Sequence, residues 1–404
     1  MTRPLEGLKV VDFSTVVAGP VLTRLLADHG ATVVKIESAH RPDGLRSMTP
    51  YKGGRPGMNR SGYFAMYNAG KLSLTVNMRK PQAREFFRRH LVPWADLIVE
   101  AFMPGVADRW GVTWEEVSAI KPEVILLRSC LMGHSGPDMR LKGTGQITAA
   151  LSGWYDLTGW PDGLPVGPYS AYSDFVSWNY ATIAVMAALD HRRRTGKGQY
   201  IDQSLFESTI QFAGPAVLDY TVNGVVQSRC GNRDPRAAPH GAYPCQGDDR
   251  WCVIAVTTDE EWRRFAQAIG SPAWAHEARF ASLEGRKAEE DELDMLVARW
   301  TARHPPEEVM ARLQAAGVPA GVVQNARDLF NDPQLKHREA FVVRDHPEMG
   351  PHHIYTSSFR LSDSPNAPEK AAPVLGEHTE YVCRELLGIP EEELAEWVAD
   401  EVLE

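Results

Sequence analysis

Cysteine is scarce in this chain. The five present (Cys130, Cys230, Cys245, Cys252 and Cys383) lie far apart and never as a C-x-x-C pair, so neither a zinc site nor a disulfide framework is expected. Apolar runs are short, and none reaches the length of a membrane span. The opening Met-Thr-Arg-Pro-Leu-Glu lacks the pattern of a signal peptide, so a cytoplasmic protein without membrane association is expected. Positive charge is not in excess: the net charge is −9, which argues against general nucleic-acid or membrane-surface binding while leaving room for a local anion site. The G-x-S-x-G elbow, the Walker loop and H-E-x-x-H are all missing, so hydrolase, kinase and zinc-protease chemistries have no support. His240 and His352-His353 have no partners at metal-ligand spacing, and no metal is expected.

What is present is ordinary globular material: 43% hydrophobic and 24% charged residues over 404 positions, enough for two or three domains. The first half alternates strands (Leu8–Phe13, Ala31–Ile36, Leu72–Val76, Ala95–Val99, Val124–Leu127) with helices from Pro20, over Pro81–Leu91 and over Trp114–Ile120. That alternation predicts an α/β fold with a doubly wound parallel sheet. Glu37 ends the second strand where a ribose-binding acid would sit. The loop Ser14-Thr15-Val16-Val17-Ala18-Gly19-Pro20 has a single glycine, however, and a nicotinamide or flavin site is not expected. Later the grammar changes. Two strands, Ala242–Cys245 and Trp251–Val256, precede helices at Asp259–Ile269, Lys287–Arg303 and Pro306–Ala316, which predicts a smaller α+β domain over about 225–325. A proline-rich run over Pro351–Pro373 carries the chain on to a final acidic helix near Pro390–Glu401.

The most informative stretch is Tyr169-Ser170-Ala171-Tyr172-Ser173-Asp174 and the helix that follows. Phe175, Trp178, Ile183, Met186 and Leu189 recur at helical spacing, predicting a buried helix. Ser173 or Asp174 would cap it, and Arg192-Arg193-Arg194 would sit at its negative end before Gly196. A carboxylate at a helix start is favoured in its ionised form, as a nucleophile requires. From these residues alone a plain N-cap is the favoured reading.

Several segments together resemble the family III CoA-transferases. They are Pro4-Leu5-Glu6-Gly7-Leu8-Lys9-Val10-Val11-Asp12-Phe13, Gly19-Pro20, Leu25-Leu26-Ala27, Gly30-Ala31 and Lys35-Ile36-Glu37. Further along come Asn68-Ala69-Gly70-Lys71-Leu72-Ser73-Leu74, Val99-Glu100-Ala101-Phe102-Met103-Pro104-Gly105, Thr195-Gly196-Lys197-Gly198-Gln199 and Leu375-Gly376-Glu377-His378-Thr379. The resemblance spans nearly the whole chain in order. It implies a nucleotide-type large domain built from both chain ends (1–205 and 326–404), a linker at 206–224, the small domain at 225–325, and an interlocked homodimer. A heteromer of related subunits is a further arrangement. It implies Asp174 as the nucleophile, with aspartyl-anhydride and aspartyl-CoA thioester intermediates. Coenzyme A is implied as a substrate moiety rather than a tightly bound cofactor, and an acyl-CoA and a carboxylic acid as the partners.

The same resemblance implies CoA-binding positions. Val17 and Ala18 fall in the first strand–helix loop; Val76, Asn77, Met78 and Arg79 follow a strand end, with Arg79 suited to a phosphate. Phe102 and Met103 would pack the adenine, and Arg109 and Lys142 would add positive charge. A basic residue common after Glu37 is here Ser38, leaving Arg41 to take over, and the asparagine expected before Phe102 is Ala101. No glycine-rich closing loop is evident in 225–260.

The same-fold alternative is an α-methylacyl-CoA racemase. It needs a histidine near Lys142-Gly143-Thr144-Gly145 and an acid near Thr257-Thr258; the chain has neither, which favours transfer. An inactive CoA-binding partner subunit is a third reading, opposed by the presence of Asp174. Trp110, Trp154, Tyr155, Trp160, Tyr169, Tyr172 and Trp178 gather in sequence around the proposed site. They hint at a bulky, aryl-substituted or succinate-type acid, although aromatic residues also serve simply as core.

Overall fold

The computed structural model describes residues 3–365 and 367–404; Met1, Thr2 and Asn366 lie outside the described residues. Two compact units emerge. The first takes 1–154, 167–225 and 334–404, and the second takes 155–166 and 226–333.

The first unit is built on a parallel sheet of six strands: β1 (Lys9–Asp12), β2 (Thr32–Glu37), β3 (Leu72–Thr75), β4 (Leu97–Glu100), β5 (Ile125–Cys130) and β6 (Tyr200–Ser204). Their order is β3-β2-β1-β4-β5-β6, with β1 paired in parallel to both β2 and β4. Strand residues alternate between two cores, as a sheet covered on both faces requires. Val10, Val33, Leu97 and Ile125 pack on one face against helix α1 (Ala18–Asp28) and the helix Tyr172–Thr195. Val11, Val34, Ile98 and Leu126 pack on the other against Phe86, Phe87 and Val117, and against Val382 and Trp397 from near the chain end. The chain therefore moves outward through β2 and β3, then returns to lay β4 on the far side of β1. This reversal opens a crevice at the carboxyl ends of the strands, where ligands bind in such sheets.

Several expectations are corrected. β6 is a sixth strand that the sequence pattern did not mark, because Tyr200-Ile201-Asp202-Gln203-Ser204 carries little apolar alternation. The helix expected over Pro81–Leu91 is α-helical only over Gln82–Phe86 and continues as a π-helical turn over Phe87–Leu91. The one expected over Lys287–Arg303 is two, Leu283–Ala288 and Glu290–Thr301. The proline-rich run contains a strand: Gly350–Tyr355 pairs antiparallel with Phe341–His346. The Tyr172–Thr195 helix is not buried through its large residues. Its buried positions include Ser173, Val176, Ser177, Ala181, Val185 and Ala188, while Ile183 is 66% exposed. Small side chains let the helix approach the sheet closely, and Phe175, Trp178, Met186 and Leu189 are half-buried beside them against the adjoining cores, so of the five large residues only Ile183 points away. As expected, the helix stops at Gly196, whose φ of 72° suits glycine.

The first unit also contains the helices Leu205–Phe212 and Gly214–Asn223. In the second unit His240–Pro244, Trp251–Ala255 and Ala320–Val322 form a three-stranded antiparallel sheet. Trp262, Phe265, Leu293, Val297, Val309 and Leu313 pack its helices onto Cys252 and Ile254. Among the described residues no helix is long and apolar enough to cross a membrane.

Candidate active site

Two cavities of the first unit open at the carboxyl edge of the sheet and share Thr15 and Val16 of the loop after β1. The larger has a volume of about 1020 Å³. It brings together Arg41, Val76, Asn77, Met78, Arg79, Phe102 and Arg109, residues drawn from the ends of β2, β3 and β4. Arg41, Arg79 and Arg109 are exposed. Among the described residues none of them forms an ion pair with a carboxylate, whereas their neighbours Lys80 and Arg84 pair with Glu401 and Glu116. Arg41 lies over the Phe102 ring, 5.8 Å from its centroid. Three uncommitted guanidinium groups beside a ring suit a ligand with phosphates and a flat base.

Glu37 does not serve a ribose here. Its carboxylate accepts from Arg46 Nε at 2.8 Å and Nη2 at 2.7 Å, fully buried, and this pairing holds it below the usual carboxylate range despite burial. Ser38 is likewise engaged, donating to the Glu404 side chain at 3.0 Å.

The smaller cavity, about 330 Å³, collects Val17, Ala18, Met103, Lys142 and Asp174. Met103 and Lys142 therefore lie in the Asp174 cavity and not in the arginine-lined one. Met139, Leu131, Leu141 and Leu205 give it aliphatic walls. Sequence reading missed these four, and also Cys130, because they enter from the end of β5, the loop after it, or the start of the helix that follows the polar strand β6. Cys130 is not a nucleophile: its thiol donates to the Gly133 carbonyl at 3.1 Å, and burial pushes its pKa up to about 11.

The environment of Asp174 corrects the capping expectation. The helix starts at Tyr172, Ala171 occupies the cap position without a side-chain bond, and Asp174 lies in the first turn. Ser173 is not the cap either, since its hydroxyl donates across to the Gly145 carbonyl at 2.8 Å. Gly145 starts the helix Gly145–Leu151 directly against the carboxylate. A Cβ at that position would come 2.7 Å from Asp174 Oδ2, so only glycine fits there without displacement. The carboxyl group is half-buried, and desolvation raises its pKa to about 7. The expectation of a firmly ionised group is thus also corrected. Among the described residues no ion pair or hydrogen bond to the carboxylate offsets the burial, which is what carries its pKa toward neutrality.

Comparison with known proteins agrees along the whole length. The model of CoA-transferase family III matches residues 5–379. The succinyl-CoA–D-citramalate CoA-transferase of Chloroflexus aurantiacus is 32% identical over 99% of this chain and 98% of its own. The beta subunit of succinyl-CoA–L-malate CoA-transferase from the same organism is 33% identical over 97% and 96%. A crystal structure of a CaiB/BaiF family protein from Brucella suis superposes with a TM-score of 0.87 at 32% identity, over 96% of this chain and all of that one. Sequence and fold agree from end to end, and the chain belongs to CoA-transferase family III.

Proposed function

We propose that the chain moves CoA from an acyl-CoA thioester to a carboxylic acid by covalent catalysis at Asp174. One observation carries the reading: a half-buried carboxylate without a counter-cation, its pKa raised to about 7, lies in a small aliphatic cavity that shares a wall with an arginine-lined one. The larger cavity takes the nucleotide, with Arg41, Arg79 and Arg109 for its phosphates and Phe102 for its base. Val76, Asn77 and Met78 border it, and Val17 and Ala18 line the passage to Asp174.

In the chemistry, an Asp174 oxygen bonds to the thioester carbonyl carbon and the C–S bond breaks, leaving an anhydride and a CoA thiolate. The thiolate then bonds to the aspartyl carbonyl carbon and expels the first acyl group as a carboxylate. The acceptor carboxylate attacks this aspartyl-CoA thioester, giving a second anhydride and thiolate. Thiolate attack on the new acyl carbon forms the product thioester and restores Asp174. No proton is consumed, and the thioester free energy passes between acyl groups without loss to water. Desolvation suits the carboxylate for attack, because an unsolvated anion bonds more readily.

For the acid, a short succinate-type dicarboxylate fits best. The Asp174 cavity is small and aliphatic, and Lys142 offers a cation for a far carboxylate in place of the CoA contact first expected of it. The relatives are named for D-citramalate and L-malate. An aryl acid has less support. Tyr169 is 97% exposed, Trp160 is 59% exposed, and Trp154 and Tyr172 pack on each other at 5.0 Å.

We also propose the interlocked homodimer. The Gly214–Asn223 helix is rich in apolar residues yet has no buried one: Leu218, Tyr220 and Val222 are 62%, 61% and 74% exposed. Such a face favours a protein partner.

The test is an exchange assay with succinyl-CoA and a panel of carboxylic acids, read by mass spectrometry. A mass adduct of acyl or CoA on Asp174 in trapped enzyme is the expected result. The racemase reading makes the opposite prediction, with Asp174 serving as a base. A 2-methylacyl-CoA incubated in deuterated water without an acceptor acid should gain no deuterium at its α-carbon, and incorporation at a catalytic rate would overturn transfer. The Asp174 cavity includes no histidine among its described lining residues. Thr258 is occupied in a reciprocal cap with Glu261.

A further inference from the structure

The loop after β1 carries a backbone conformation that the proposed chemistry does not by itself explain. Val16 has a φ of 68°, in the left-handed region that β-branched residues avoid. It is one of the two residues common to both cavities. Strain of this kind persists only where the surroundings enforce it.

The enforcing groups are buried and remote in sequence. Val16 N–H donates to Asp43 Oδ1 at 3.0 Å, and the same oxygen accepts from Leu45 N–H at 2.9 Å. Asp43 Oδ2 is paired with Lys35 Nζ at 2.8 Å, both side chains being fully buried. Lys35 Nζ also donates to the Ser14 carbonyl at 2.8 Å, and Ser14 N–H donates to Asp12 Oδ1 at 2.9 Å. The loop is thus gripped on both sides of Thr15: by its Ser14 carbonyl through a cation, and by its Val16 amide through an anion. Because the two gripping groups neutralise each other, neither leaves a net charge beside the incoming ligand.

We infer that Asp43, seated by Lys35, is a positioning residue that holds Val16 left-handed and so fixes the wall between the nucleotide cavity and the Asp174 cavity. A wall that slackens would let the thioester carbon drift from the carboxylate, and misplacement by about 1 Å can cost on the order of a hundredfold in rate. This inference rests on the transferase reading for its kinetic consequence but not for its structural one.

The test compares Asp43→Asn with Asp43→Ala in the full chain. Both remove the direct ion-pair partner of Lys35, so both lower the melting temperature. Only the asparagine keeps an oxygen for the Val16 amide. Asp43→Asn should therefore retain kcat at least about tenfold above Asp43→Ala, with the KM for acyl-CoA less affected than kcat. Hydrogen–deuterium exchange, read on peptides covering residues 13–21, should accelerate in Asp43→Ala and much less in Asp43→Asn. Activity that follows the melting temperature equally in both variants, or a loop whose exchange is unchanged in Asp43→Ala, overturns the inference.

If Asp43→Ala does not fold, Val16→Gly carries the test with the ion pair intact. Glycine reaches the left-handed region freely but is not confined to it, so kcat should fall by about three- to tenfold without the loss of melting temperature expected of the Asp43 variants; unchanged kcat overturns the inference. The exchange readout separates the two failures. Wild-type protein without CoA transfer, but with a loop loosened in Asp43→Ala, refutes the transferase reading and keeps the clamp. Active wild type with an indifferent loop does the reverse.

Discussion

Asp12 and Asp174 are two carboxylates of one unit with opposite surroundings. Asp12 is fully buried at the end of β1, yet its pKa is lowered to about 2. Burial alone would raise it, but Lys71 at 3.0 Å, Lys35 and the hydroxyls of Ser14 and Thr23 more than compensate. Asp174 is less buried and its pKa is raised to about 7, with desolvation unopposed. The difference teaches where the fold places its cations. They surround Asp12, which holds the first loop together, and among the described residues none is ion-paired to Asp174, the proposed nucleophile. An anion neutralised by a lysine is a poor nucleophile; one without a partner is costly to bury and reactive.

The comparison can be broken most directly at its reactive member. Asp174→Ala should lower CoA exchange by at least about 10⁴-fold while leaving the fold and assembly intact, checked by exchange assay and circular dichroism; substantial residual exchange would sink the assignment. At the structural member, Lys71→Met leaves Asp12 buried beside a missing cation. It should cost about 3–5 kcal/mol of stability, read by chemical denaturation, and a loss under 1 kcal/mol would mean that Asp12 does not need its partner.

The surrounding cations sharpen the contrast. Arg79→Ala should weaken CoA binding by about 10–100-fold by calorimetry, as loss of one charge-assisted contact does. Lys142→Ala should raise the KM for the acceptor acid and leave CoA affinity nearly unchanged. Equal effects of the two on CoA would return Lys142 to the nucleotide.

The smallest effect is in the pH dependence. The folded pKa of Asp174, about 7, exceeds its unfolded value near 4. Between those pH values the folded state holds more protons than the unfolded one, so this group's contribution to stability falls as pH rises through the window. Asp12 has the opposite sign: its contribution is present above about pH 4 and is lost as pH falls toward 2. Asp174→Asn should therefore gain about 1–3 kcal/mol relative to wild type between pH 4 and pH 8, measured by denaturation at both. In the wild type, kcat/KM should rise with pH along a limb centred near 7.

Much of the sheet was legible because strands covered on both faces carry apolar runs, as Leu97–Val99 and Ile125–Leu127 do within the strands Leu97–Glu100 and Ile125–Cys130. The helix expected at Trp114–Ile120 has those bounds in the structure, where the Thr113 hydroxyl caps it by accepting from the Glu116 N–H. What escaped was whatever depends on partners distant in the chain. Nothing near Ser173 tells that its hydroxyl reaches Gly145, and nothing near Glu37 tells that Arg46 closes on it. Which cavity Met103 and Lys142 line was not legible, because neighbours in sequence such as Phe102 and Met103 face different spaces. The left-handed Val16 carries no local signal at all, since valine is the last residue from which that conformation would be inferred.

The wall of Thr15 and Val16 common to both cavities has a consequence for timing. A cofactor anchored by its phosphates on one side and cleaved on the other remains a tethered reagent after its thioester bond breaks. In the proposed reaction the freed sulfur would stay near Asp174 at an effective concentration of about a millimolar or more, as a short flexible tether gives, instead of diluting into the medium. Its return to the proposed acyl-aspartate would thus be a first-order event that does not depend on how much free CoA surrounds the protein. Loosening the anchor would turn one turnover into two separate encounters.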